Sequence, residues 1–198
     1  MDLIWTGSTL MVSGPDTEPF AYDGAGGPMV GLRFDPGVAP TVFACGAHEL
    51  RDARVALDDL MRTGDCAEWL ARVAESAAPG RTLVDLVAAR WSGPDAWVPT
   101  VTRRLAAGDT VADCAWAVGM TERTLHRRSL RHFGYGPKVL QRILRMRAAM
   151  RRLDAGVRVG DVVELGGYAD YPHMHREFTA LAGRGPLTFV AADQAVVQ

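Results

Sequence analysis

Apolar and polar positions follow two rhythms along this chain. Through residue 43, short apolar runs alternate with turn signals: LIW, Thr6-Gly7, TLMV, Ser13-Gly14-Pro15, residues 24–28, MVGLRF and Asp35-Pro36-Gly37. This alternation predicts three or four short strands joined by tight turns. So few strands cannot close a barrel, and the sheet needs something to pack against. Residues 44–61 read as a turn or short helix followed by a second short helix over 55–61. From residue 67 the period lengthens to that of a helix. Trp69 or Leu70 and Val73 repeat within 67–77, Pro79-Gly80 interrupts, and 81–91 places Leu83, Leu86, Val87 and Trp91 on one face. Ser92-Gly93-Pro94-Asp95 combines turn formers and is the best boundary signal.

Beyond that boundary the pattern is helical throughout. Val98, Val101 and Leu105 mark a helix over 96–107, with Asp95 placed to cap it and Gly108-Asp109 to end it. Further helices are predicted over 111–118, 122–133, 137–153, 159–165 and 171–181. Pro137 sits at a helix start, where its missing N–H costs nothing. In the helix it opens, Val139, Ile143, Met146 and Met150 form the expected buried stripe.

Two of these segments share a plan. Over 111–133, a short helix offers the small Ala115 for close crossing, and Gly119 takes the turn. Thr121 caps the next helix, Glu122 suits its first turn, and Leu125 points inward. Arg123, His126 and Arg127 then share the outer face at i, i+3 and i+4. Over 160–181 the plan recurs, with Gly167 at the turn, Tyr168 as a core ring and Asp170 as the cap. Met174, Phe178 and Leu181 form the stripe, with Tyr171, His175 and Arg176 outside. The helix between them spans ~25 Å at 1.5 Å per residue, suited to setting two reading helices one DNA turn, ~34 Å, apart. Arg142, Arg145, Arg147, Arg151 and Arg152 decorate it, and some are expected on phosphates.

Charge sharpens this picture. The formal net charge is −1, yet residues 1–96 carry 7 Lys+Arg against 14 Asp+Glu, whereas 97–198 carry 15 against 9. An acidic half joined to a basic half is the footprint of a polyanion binder attached to a different module. Lys138 is the only lysine. Arginine suits bidentate contacts to phosphate and guanine, but a GC-rich coding bias gives the same preference, so the asymmetry between halves carries the argument.

The stretch VADCAWAVGMTERTLHRR, then GYGPKVLQRILRMRAAMRRL, then GGYADYPHMHREFTALAGRGPLTF resembles the DNA-binding domain of AraC/XylS-type bacterial transcription regulators. Its most specific stretch is Gly167-Tyr168-Ala169-Asp170 with His173, Arg176-Glu177-Phe178, Gly183 and Pro186. The front half, DLIWTGSTLMVSGPDT with GLRFDPGVAPTVFACGAHELRD, is similar to the sensor-like domain of one subgroup. The resemblance implies base contacts from Arg123, His126 and Arg127, then from Tyr171, His175 and Arg176, with Thr124 and Arg128 on the DNA backbone. Relatives carry further strands before DLIW, which implies a shortened, incomplete sheet here. The fold class expected is α+β: a sensor-like domain over 1–93 (strands within 1–43, helices within 44–93), an all-α DNA-binding domain over 94–190, and a tail over 191–198. Three departures stand out. Ser129 replaces a usual core aromatic, Val163 replaces the small residue of the second unit beside an extra Gly166, and Tyr171-Pro172 replaces a polar pair. The last implies that the second unit acts more as a backbone clamp than as a reader.

Other chemistries find little support. Cys45, Cys66 and Cys114 are odd in number and widely spaced, which favours reduced thiols. His173 and His175 lie ~200° apart on a helix and cannot share a metal. His48 with Glu49 and Asp52 reads as a surface cluster, and Met11, Met29, Trp5 and Phe34 as core. No catalytic constellation, cofactor site or membrane span is expected, and the acidic start lacks the pattern of a signal peptide, so a cytoplasmic location is the expectation. The function expected is a sequence-specific transcription regulator contacting two successive major grooves of double-stranded DNA. A second copy, a related regulator, RNA polymerase and an unidentified small effector stand as further partners. The alternative is a shortened interaction protein that pairs with a full-length regulator and titrates it.

Overall fold

The structure is a computed structural model that describes residues 1–18, 27 and 29–193; the turn expected over 24–28 lies largely outside the described residues. Strands β1 (Asp2–Trp5), β2 (Leu10–Ser13), β3 (Val30–Arg33) and β4 (Arg54–Ala56) form one antiparallel sheet in the order β3-β1-β2-β4. Leu3 is the register partner of both Val12 and Leu32, and Trp5 of both Leu10 and Val30. Cross-strand partners share a face, so these apolar residues line one side. Leu3, Trp5, Leu10 and Val12 are buried in a core shared with α1 (Ala39–Phe43), α2 (Thr63–Ala74) and α3 (Pro79–Arg90).

Two expectations for this region are corrected. Residues 39–43, read as belonging to the β segment, form a helical turn that buries Ala39, Pro40, Val42 and Phe43. Pro40 in its first turn pre-sets the helical φ. Residues 54–56, of which 55 and 56 are expected to start a short helix over 55–61, pair with β2 instead, Val55 opposite Val12. The edge of β2 offers unpaired backbone groups, and a β-branched Val suits the pairing. Only a single 3-10 turn, Leu57–Asp59, survives of the helix expected there.

The second half contains α4 (Trp97–Ala107), α5 (Val111–Ala117), α6 (Glu122–Phe133), α7 (Pro137–Asp154), α8 (Val159–Leu165), α9 (Tyr171–Ala182) and α10 (Pro186–Asp193). The order α4-α5-α6 recurs as α7-α8-α9. Helices α5 and α8 are each seven residues long, and α6 and α9 each twelve. The cores correspond too. Val101, Leu105, Cys114 and Leu125 are buried in one, and Ala149, Leu153, Val162 and Met174 in the other. Helix α7 serves both, closing the first core with Leu140 and the second with Ala149 and Leu153.

The correspondence fails at one buried place. Phe178 fills its position in the second core, whereas Ser129 occupies it in the first, fully buried with a hydroxyl that has no hydrogen-bond partner. An unpaired buried hydroxyl costs about 1–3 kcal/mol. Ser129→Ala is therefore expected to stabilise the chain by about 1 kcal/mol, a rise of about 2–4 °C in Tm for a chain of this size. A thermal unfolding scan with an unchanged or lowered Tm would contradict it.

Helix α7 also corrects the expected stripe. Its fully packed residues are Pro137, Leu140, Ala149 and Leu153. Val139 is exposed, while Ile143, Met146 and Met150 are half-buried. Leu140 enters the first core and Ala149 and Leu153 the second, on the opposite face, with Met146 and Met150 packed at the edge of the second.

The N-terminal unit docks on the end of α6 and the loop after it. The Arg51 guanidinium donates to the Gly134 carbonyl at 2.7 Å, and the Tyr135 hydroxyl donates to the Asp16 carbonyl. Pro15 packs so closely on Gly134 that a Cβ there would lie 2.2 Å from the Pro15 ring. Asp95 does not cap α4 as expected. Its backbone carbonyl accepts the Val98 N–H, and its carboxylate lies 3.2 Å from His132 Nε2.

Candidate nucleic-acid interface

Each helix pair is held at its turn by the same local chemistry. Gly119 and Gly167 adopt φ of 64° and 65°, a left-handed conformation that other residues reach only with strain. Two residues beyond Gly119, Thr121 Oγ1 accepts the Thr124 N–H at 3.2 Å. Three beyond Gly167, Asp170 Oδ1 accepts the His173 N–H at 2.6 Å. Both caps satisfy backbone donors at helix starts and so fix where α6 and α9 begin.

On α6, Arg123, Arg127 and Arg128 are exposed and make no ion pair among the described residues. Arg123 and Arg127 lie one turn apart on the same face, just beyond the capped end. The other two residues singled out on α6 are engaged locally. The Thr124 hydroxyl accepts from the Thr121 hydroxyl at 3.0 Å. The His126 ring lies over Gly136, where a Cβ would fall 2.8 Å from Nε2. His126 is itself exposed and lines a shallow cleft with Arg123, Glu122 and Lys138.

Lys138 is a cation to which the sequence pattern assigned no role. The signal for it was present in Gly136-Pro137, which fixes the start of α7 and so brings the next residue beside α6. What was not visible is that this helix start lies beside Glu122, Arg123 and His126 of α6.

Helix α9 presents a different surface. Tyr171 and Pro172 are exposed at its start, and the Tyr171 ring is tilted toward His175 at 6.1 Å. His175 folds over Gly185 as His126 does over Gly136, with Thr179 Oγ1 at 3.5 Å from Nδ1. Arg176 is exposed and without an ion pair among the described residues. His173 serves the turn: Nδ1 accepts the Ala169 N–H at 3.1 Å, and its ring meets Tyr168 edge-on.

The linker arginines are largely engaged elsewhere than expected. Arg142 Nε and Arg145 Nη2 both bind the Glu177 carboxylate, at 2.7 and 2.5 Å, pinning α9 to α7. Burial pushes the Glu177 carboxyl upward, but the two guanidinium donors and their charges outweigh it and hold the group below its ordinary range. Arg145 also lies over the Tyr168 ring at 4.9 Å. Burial is the main reason that the Tyr168 phenol is pushed up to about 12. Arg147 faces Asp35 of the N-terminal unit at 3.7 Å, and Arg151 lines the gap between α7 and that unit.

Among the described residues, no group of three or more His, Cys, Asp or Glu side chains is placed to hold a metal ion, and no helix is long and apolar enough to cross a membrane. Burial pushes the thiols of Cys45, Cys66 and Cys114 up, away from reactive thiolate.

Residues 114–192, less than half of the chain, match the family model described as a helix-turn-helix domain, which supports an AraC-like DNA-binding domain and a role in transcription regulation. No curated protein and no solved structure matches the chain.

Proposed function

We infer that this protein is a sequence-specific DNA-binding transcription regulator of the cytoplasm that contacts two successive major grooves. The observation that carries the reading is the outer face of α6. Arg123 and Arg127 stand unpaired and exposed one turn apart at the start of a capped helix, in the segment that matches a helix-turn-helix family. Arginines there are free to form bidentate contacts to guanine edges. Arg128 and Lys138 flank them as phosphate contacts, which position without reading sequence.

Helix α9 enters the neighbouring groove at the far end of α7, which at 18 residues measures ~27 Å. Its share of base reading is smaller. Pro172 carries no donor, His175 is turned onto Gly185, and Arg176 is left as its free cation. Tyr171 and Arg176 hold α9 to the duplex mainly as a clamp. The N-terminal unit docks at the opposite end of α6 from Arg123, so it leaves the reading face open. It modulates binding through a second copy, a related regulator or RNA polymerase.

Arg127→Ala is expected to cost ~1–3 kcal/mol on the preferred sequence and much less on random DNA. Selection from a random-sequence library at about 0.15 M salt tests both effects, since non-specific binding is salt-weakened there. Enriched motifs with two elements about one helical turn apart support the two-groove reading. Salt-sensitive retention without enrichment would refute it and favour the interaction-protein alternative, to which the family match lends no support.

A further inference from the structure

The apolar stripe of α7 expected from the sequence, of which Met146 and Met150 also pack against the second core, is not spread over open surface. Val139, Ile143, Met146 and Met150 form one wall of a groove of about 870 Å³ between the N-terminal unit and the helical half. The facing wall is the segment Arg33–Gly37 with Pro40. Phe133 at the end of α6 and Phe189 of α10 also line it. Binding sites for small organic molecules have volumes of ~300–1,000 Å³ and lie preferentially between domains, with apolar walls and a few polar groups.

The polar groups of this groove favour an anion. Arg147 and Arg151 follow each other by one turn of α7 along its edge. The Arg151 side chain makes no hydrogen bond or ion pair among the described residues. The only partner of Arg147 among them is Asp35, at 3.7 Å and with a side chain 85% exposed. That is too long for a hydrogen bond, and such exposed pairs hold a guanidinium weakly. Of the other lining charges, Asp2 pairs with Arg33, Asp16 with Arg54, Arg142 with Glu177 and His132 with Asp95, and Arg51 donates to the Gly134 carbonyl. Asp154 is the one acidic lining residue left without a partner among the described residues.

We propose that this groove binds a small amphipathic organic acid, its apolar body along Val139, Ile143, Met146 and Met150 and its acid group on Arg147 and Arg151. The occupant touches the N-terminal unit, the end of α6, α7 and α10 together. It therefore favours the docked arrangement of those elements, and by linkage its binding and DNA binding alter each other by the same factor. That coupling rests on the DNA reading, whereas the binding itself does not.

The test uses the whole chain without DNA. The fluorescent probe 8-anilinonaphthalene-1-sulfonate, an apolar anion, is titrated in and then displaced with decanoate or decan-1-ol, folding being followed by far-ultraviolet circular dichroism. One saturable site is expected, displaced by decanoate and not by decan-1-ol. Arg151→Glu, an exposed change that leaves the packed core intact, is expected to weaken the probe by about tenfold or more, the loss of a charge-assisted contact. Met146→Trp, which fills the groove, should weaken it similarly, while Arg103→Glu on the exposed face of α4 should not. Binding unchanged in Arg151→Glu, equal loss in Arg103→Glu, or equal displacement by decan-1-ol would overturn the proposal. Probe binding as expected in a chain that selects no DNA sequence would leave this site standing and remove only the DNA reading.

Discussion

Phe178→Ala is expected to cost about 3–5 kcal/mol of stability, the range for truncating a fully buried aromatic. The side chain is 0% exposed and lies 6.3 Å from the Phe189 ring, so it joins α9 to α10 within the second core. A cavity there cannot be refilled by small motions, because its neighbours Met174 and Val162 are themselves fully packed and interiors relax only incompletely. The change should fall on the second helix pair and leave the first core, built around Val101, Leu105 and Leu125, intact. Chemical denaturation followed by far-ultraviolet circular dichroism, with hydrogen exchange resolved along the chain, measures both effects. A loss under about 1 kcal/mol, well below the range for such truncations, would show that the second core is not formed as described.

Removing the carboxylate of Glu177 is the second large effect. Breaking a buried ion pair by deleting one partner costs about 3–5 kcal/mol, because the other charge is left uncompensated. Here Arg142 is 40% and Arg145 29% exposed, so water takes up some of that, and about 2–3 kcal/mol is expected for Glu177→Ala. The two guanidiniums would also repel each other, and α9 would lose its fixed tilt on α7. DNA affinity should therefore fall on all sequences alike, unlike the sequence-selective loss expected for Arg127→Ala. The pH dependence gives an independent check. The folded Glu177 carboxyl sits below its ordinary range, because its arginine contacts outweigh burial. A lowered folded pKa contributes stability that is fully present above the unfolded value, ~4.3, and is lost as pH falls through the folded one. The stability gap between the natural chain and Glu177→Gln should accordingly be full at neutral pH and shrink on acidification below about pH 4. A gap that does not change with pH would mean that Glu177 is not the charge holding α9.

Much of the helical half was legible from local signals, and its residues show why. Thr121 before Glu122, Asp170 before Tyr171-Pro172, and Gly-Pro before α7 are instructions that act within one turn of chain, and the bounds of α6 and α8 fell where the pattern put them. Arg123, Arg127 and Arg176 could be assigned to an outer face because helical spacing alone decides that. Misreadings came where a distant partner intervened. Residues 54–56 became a strand because the edge of β2 was there to pair with, and Asp95 lost its expected cap to the geometry of the Ala96 turn and the nearby His132. His126 and His175 share the spacing of the exposed arginines, yet each settled over a glycine ten residues further along.

Local sequence set most of the helix bounds, the residues that share a face, and the division of the chain into an acidic and a basic half. Each follows from the backbone periodicity, the capping chemistry and the charge of residues near one another in the chain. Long-range packing decided which residues of α7 enter the first core, which enter the second and which line a groove. It also gave Glu177 its hold on Arg142 and Arg145, and it joined the N-terminal unit to the end of α6 through Arg51 and Tyr135. Those outcomes depend on which surfaces meet across tens of residues, where burial and pairing energies compete, and no local pattern records the result.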